Sequence, residues 1–138
     1  MNLHKSNSTR LLAVFCELRE GLKNHHILEK SIKVGDFLSS PDYCLIETLN
    51  PLNNVALKYG NSSVVFEVYE VTIPVLEKIS KLKGFYHLNY EQNLNNKKLI
   101  NTPYGKALTY VNNLNYISNN IIEDYDYVDY YKYKNITN

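Results

Sequence analysis

The sequence predicts an α+β domain, a small mixed β-barrel, and three observations predict it. Apolar stretches of strand length recur along the chain with turn residues between them. One clear amphipathic helix comes late, at Thr72–Gly84. A continuous apolar run near the start, Leu11–Phe15, suits a central strand buried on both faces, and it passes at once into the polar loop Cys16–Asn24.

Length and composition bound the answer. The 138 residues make one domain, long enough for a proper core without metal or disulfide staples. The expected organisation is a loose lead-in over 1–9, a domain over 10–112 and a Tyr-, Asn- and acid-rich extension over 113–138. A net charge of +1 gives no reason to invoke nucleic acid or an anionic membrane as partner. No apolar run approaches the about 20 residues that span a bilayer, and Leu11–Cys16 is too short for a signal-peptide core, so a cytoplasmic protein is expected. Two cysteines, Cys16 and Cys44, make no disulfide framework. The Asn-x-Ser/Thr sequons at Asn7, Asn61 and Asn135 are chance products of an Asn-rich chain. Nineteen Asn and thirteen Tyr, with AT-rich codons, point to an AT-rich bacterial or viral genome, a phage among them.

Taken in order, Gly21 permits a turn with positive φ and Asn24 is a candidate N-cap for helical turns over His25–Lys30. Ile32–Leu38 and Tyr43–Leu49 read as strands around the turn Ser39-Ser40-Pro41-Asp42. Val55–Leu57 is a short edge piece. Ser63–Val71 is the clearest strand: Val64, Phe66, Val68 and Glu70 share one face, and Val65, Glu67, Tyr69 and Val71 the other. With a glutamate on each side, neither face is expected to be wholly dry. Thr72 caps the helix, Pro74 sits in its first turn and Gly84 ends it; Val75, Leu76, Ile79 and Leu82 form its apolar stripe. Phe85–Leu94 reads as a strand, Asn95–Lys98 as a loop and Lys106–Val111 as the last core strand. Glu123–Tyr133 interleaves acids with tyrosines, a surface for packing on the domain or against a second copy.

These pieces resemble the gamma-glutamylcyclotransferase-like proteins, the AIG2-like and BtrG-like group. The family's first strand ends in Tyr-Gly-Ser/Thr-Leu-Arg, followed by a Gly and an Asn; here Phe15-Cys16-Glu17-Leu18-Arg19 is followed by Gly21 and Asn24. Its central strand, roughly Val-x-Gly-Glu-Leu-Tyr-Glu-Val, matches Val64–Val71, and its helix, ending Leu-Glu-Gly-Tyr, matches Val75–Phe85. The resemblance covers about residues 10–112 and implies a mixed β-barrel with flanking helices. It also implies a first loop whose amides hold the substrate's polar end. A Glu before the helix-ending Gly would act as general acid/base, releasing 5-oxoproline from γ-glutamyl compounds.

The chain departs from that pattern where chemistry is concerned. The Glu position holds Lys83, and lysine, protonated at neutral pH, is a poor replacement base. The loop Gly is Cys16, the loop Ser/Thr is Glu17, the leading Tyr is Phe15 and the strand Gly is Phe66. The expectation is therefore a protein without a catalytic residue, a pseudoenzyme of the family. It would bind a small polar or anionic ligand, an amino-acid conjugate or nucleotide-like molecule, through Phe15, Cys16, Glu17, Leu18, Arg19, Tyr69 and Lys83. A viral protein that sequesters a host signalling molecule is one version. Two alternatives stand beside it: an active cyclotransferase with Glu67 or Glu17 as relocated acid, and a protein-interaction scaffold, a homo-oligomer through the extension included.

Each residue has a plainer reading. Lys83 also suits a helix C-terminus, Arg19 an anchor for its own loop, and Glu67 a strand carboxylate paired with a neighbouring Lys. Cys16 lacks the companions of a nucleophile. His25 and His26 diverge by about 100° on a helix and do not chelate, so neither metal nor cofactor is expected.

Overall fold

Eight strands, one α-helix and one 3-10 turn make up what a computed structural model describes of the chain, namely residues 9–15, 18–22, 24–47, 55–80, 97–111 and 121–122. The strands are β1 (Thr9–Val14), β2 (Ile32–Leu38), β3 (Tyr43–Glu47), β4 (Val55–Tyr59), β5 (Val65–Thr72), β6 (Lys97–Thr102), β7 (Gly105–Tyr110) and β8 (Ile121–Ile122). The 3-10 turn is His25–Leu28, and α1 is Ile73–Ser80.

The five strands β2-β5-β1-β7-β6 form one sheet, and β4-β3-β8 a second. The apolar run after Arg10 becomes the middle strand of the larger sheet. It is antiparallel to β5, with Val14 opposite Glu67, and parallel to β7 through Leu12 and Leu108. Leu12, Ala13 and Val14 are all buried, as a strand flanked on both sides requires.

The closed barrel expected from the strand count is not what forms among the described residues. After β2 the chain leaves the first sheet: Ser39 donates its backbone N–H to Val64 O and accepts the Val64 N–H on its hydroxyl. Residues 40–42 then turn the chain into β3, which pairs with β4 and β8 instead of closing on β2. Ile121–Ile122, beyond the expected domain end, are thus part of the second sheet. Strand β6 replaces part of an expected loop. It is an edge strand with two lysines and one buried residue, Ile100, which is why its apolar pattern is faint.

The core lies mainly on the Phe66 side of the larger sheet. Phe66 is fully buried, stacked on Phe37 at 5.3 Å between centroids and edge-on to Phe15 at 6.1 Å and Tyr43 at 6.2 Å. The other side carries Glu67 and Tyr69. Both are buried, but Lys33 and Asp36 on the same side and Glu70 on the other are exposed, so neither face is wholly dry, as expected.

Helix α1 starts where Thr72 Oγ1 accepts the Val75 N–H at 3.4 Å, and it buries Leu76 and Ile79. Asn24 makes no side-chain cap bond. The expected helix end at 81–84 and strand at 85–94 lie outside the described residues. Among the described residues no helix is long and apolar enough to cross a membrane.

Candidate ligand-binding site

Alternation along β5 turns Glu67 and Tyr69 to the side of the sheet where the loop after β1 passes. There Glu67 becomes the hub of that loop. Its Oε2 accepts the Arg19 Nε–H at 2.9 Å, and its Oε1 accepts the Glu20 backbone N–H at 2.8 Å and the Tyr69 hydroxyl at 2.9 Å. Glu67 and Arg19 are 3% and 6% exposed, so this is a buried ion pair with its hydrogen-bonding capacity largely used. Burial, the hydrogen bond to Glu67 and the nearby Glu67, Glu20 and Asp36 carboxylates push the Tyr69 phenol far above its ordinary range, so it remains a donor. His25 packs its ring against Tyr69 at 5.7 Å and donates from Nδ1 to Leu18 O at 2.9 Å, a second tie on the same loop.

The candidate residues therefore divide. Phe15 is a fully buried ring against Phe66, and Leu18 is buried in the same core cluster. Arg19 and Tyr69 are buried and engaged by Glu67. Glu67 itself is paired with an arginine 48 residues away rather than with a lysine. Cys16, Glu17 and Lys83 lie outside the described residues. The family's strand glycine is here Phe66, and its ring points away from Glu67 into the aromatic core, so this departure adds no bulk beside the hub.

Sequence reading passed over two charged residues of this face. Lys33 and Asp36 stand opposite Tyr69 and Glu67 in register, because a β-bulge between Lys33 and Gly35 inserts one extra residue into β2. With strict alternation, residues three apart would point to opposite sides; the bulge sets both beside the hub. Lys33 Nζ is 3.0 Å from Asp36 Oδ1 and 3.4 Å from Glu20 Oε1. Partial burial works against the Lys33 charge, but the Asp36 hydrogen bond and the Glu67, Asp36 and Glu20 carboxylates outweigh it, and its pKa is raised. A bulge leaves no mark in a single sequence beyond a glycine in the strand, here Gly35.

The hub presents a fixed loop backbone and, at its rim, mixed exposed charge. A groove of about 360 Å³ lies elsewhere, between the 3-10 turn and α1, lined by His26, Ile27, Glu29, Lys30, Val75 and Lys78; it includes none of the residues expected to bind ligand.

No family model matches the chain, and no curated protein matches it. Solved structures do. The uncharacterized protein PH0828 from Pyrococcus horikoshii is similar over 92% of this chain and 97% of its own, at 19% identity and a TM-score of 0.70. Protein ytfP from Escherichia coli is similar over 87% and 97%, at 26% identity and a TM-score of 0.60. YkqA from Bacillus subtilis is similar over 94% of this chain at 18% identity and a TM-score of 0.63, and the chain spans 44% of its length. These neighbours belong to the gamma-glutamylcyclotransferase-like fold superfamily, and the α+β architecture is consistent with that fold.

Proposed function

We propose that the chain is a non-catalytic binding protein on a cyclotransferase-like fold, holding a small polar or anionic ligand at the loop after β1. The observation that carries this reading is the state of Glu67. It is the one buried carboxylate among the described residues, and its two oxygens already take three protein donors. A general acid or base must reach the substrate's proton directly or through one water; Glu67 is buried, and three of the about four acceptor sites of a carboxylate are already taken by the donors that hold the loop. Lys83 at the family's Glu position supports the same reading, since its side chain brings no carboxylate. A fixed loop backbone beside exchangeable surface charge suits recognition without turnover.

The test is incubation with γ-glutamyl dipeptides and γ-glutamylamines, scored for 5-oxoproline, beside a thermal-shift screen of amino-acid conjugates and nucleotides. No 5-oxoproline together with saturable stabilisation is the expected result. A ligand at a hundred times its Kd adds about 2.7 kcal/mol. Turnover abolished in Glu67→Gln or Glu17→Gln overturns the proposal in favour of an enzyme.

A further inference from the structure

We infer that the β2 bulge presents Lys33 as the cation that meets the anionic group, carboxylate or phosphate, of the ligand. This rests on the binding reading above and names the recognition element within it.

Among the described residues, the choice lies between two cations beside the hub, Arg19 and Lys33. Arg19 is buried, its side chain only 7% exposed, and its Nε–H is given to Glu67, so it presents little of its charge to an incoming ligand. Lys33 differs in each respect. Its side chain is 32% exposed, and its two partners, Glu20 and Asp36, are 68% and 57% exposed. Ion pairs of that kind contribute little and exchange readily with another anion. An ammonium has three donors; two go to these carboxylates, and the third has no partner among the described residues.

The backbone supplies the independent argument. In an unbulged strand, Lys33 and Asp36 would not share a side of the sheet. Here the extra residue at Val34 turns Lys33 onto the Tyr69 side while Asp36 stays opposite Glu67. Bulges of this kind re-aim side chains beside functional sites. The glycine that follows is needed as well, because a Cβ on Gly35 would collide with the Tyr104 hydroxyl, which donates to Asp36 O at 2.6 Å. The bulge is thus held from the far side of the sheet by a tyrosine on the β6–β7 turn.

An incoming anion replaces the Glu20 carboxylate at Lys33 while the Glu20 backbone N–H stays on Glu67. Opposite effects follow for neighbouring substitutions. Lys33→Met weakens an anionic ligand about tenfold, the size of one charge-assisted hydrogen bond. Lys33→Arg keeps most of the affinity. Glu20→Gln removes the competing carboxylate and tightens binding about two- to threefold.

The experiment titrates the full-length protein with γ-glutamylalanine and adenosine monophosphate, a carboxylate and a phosphate arm, by calorimetry at low ionic strength. Inorganic phosphate serves as a third probe that carries charge alone. Weakening in Lys33→Met with tightening in Glu20→Gln, for whichever arm binds the wild type, is the expected pattern. Equal binding by wild type and Lys33→Met overturns the assignment of Lys33 and leaves the binding reading standing. Absence of binding by the wild type to all three probes takes down the binding reading and this inference with it.

Discussion

Glu67 is where sequence and structure meet at the level of single residues. A buried pair of this kind is weak evidence for stability as a whole, yet breaking it from one side is costly, because the remaining charge is stranded. Glu67→Leu removes the acceptor shared by the Arg19 Nε–H, the Glu20 amide and the Tyr69 hydroxyl. We expect it to lower stability by about 3–5 kcal/mol in chemical denaturation. The double variant Arg19→Met, Glu67→Leu should cost clearly less than the two single variants added. Strict additivity would mean that the pair does not act as a unit. Thr109 offers the opposite case. It is fully buried in β7, and its hydroxyl finds no partner among the described residues. Thr109→Val keeps the shape and removes the unsatisfied oxygen, so a gain of about 1 kcal/mol is expected. A loss of stability would show that the hydroxyl has a partner in the folded protein.

Among the elements, the β2 bulge is the one with consequences. Tyr104 and Gly35 work as one device: the tyrosine reaches β2 only because the glycine has no side chain. Tyr104→Phe removes the bond to Asp36 O, and Gly35→Ala displaces the ring that makes it. Each should cost about 1 kcal/mol, and the double variant little more than either, since both lose the same contact. Full additivity in a thermal or denaturant series would separate the two residues. This element also marks the limit of what the sequence discloses. Ile32–Leu38 and most of Val65–Thr72 were legible because apolar and β-branched residues bounded by turn residues mark strands whatever their partners. The two faces of β5 were legible too, since alternation alone assigns them. The bulge was not, because it breaks the alternation by which strands are read. The Arg19–Glu67 pairing was equally hidden: a contact across 48 residues depends on which strands become neighbours. β6 was lost for a third reason, that an edge strand rich in lysine and asparagine resembles a loop.

Over the whole molecule, four groups on three strands have pKa values shifted in the same direction, upward. Burial raises the Tyr43 phenol and the Cys44 thiol in the second sheet, and burial with hydrogen bonding raises the Tyr69 phenol in the first. Lys33 is raised by its carboxylate neighbours. In each case the folded chain holds its proton to higher pH than the unfolded chain does. Above the ordinary values of 9.0 for Cys44 and 10.0 for the two tyrosines, the unfolded state therefore carries fewer protons. The slope of stability against pH is negative there. Stability from these groups is fully present below about pH 8 and is lost progressively as pH rises past the unfolded values. Tyr69 should dominate, because its phenol is both the most strongly shifted and hydrogen-bonded to Glu67. Tyr69→Phe lowers stability at neutral pH by about 1–2 kcal/mol through the lost bond to a charged group. It should also flatten the alkaline decline, so that the wild-type and variant curves converge between about pH 9 and pH 11. Denaturant unfolding at several pH values reads both effects at once. Curves that stay parallel across that range would show that alkaline loss of stability originates elsewhere than in the phenol that holds the loop hub together.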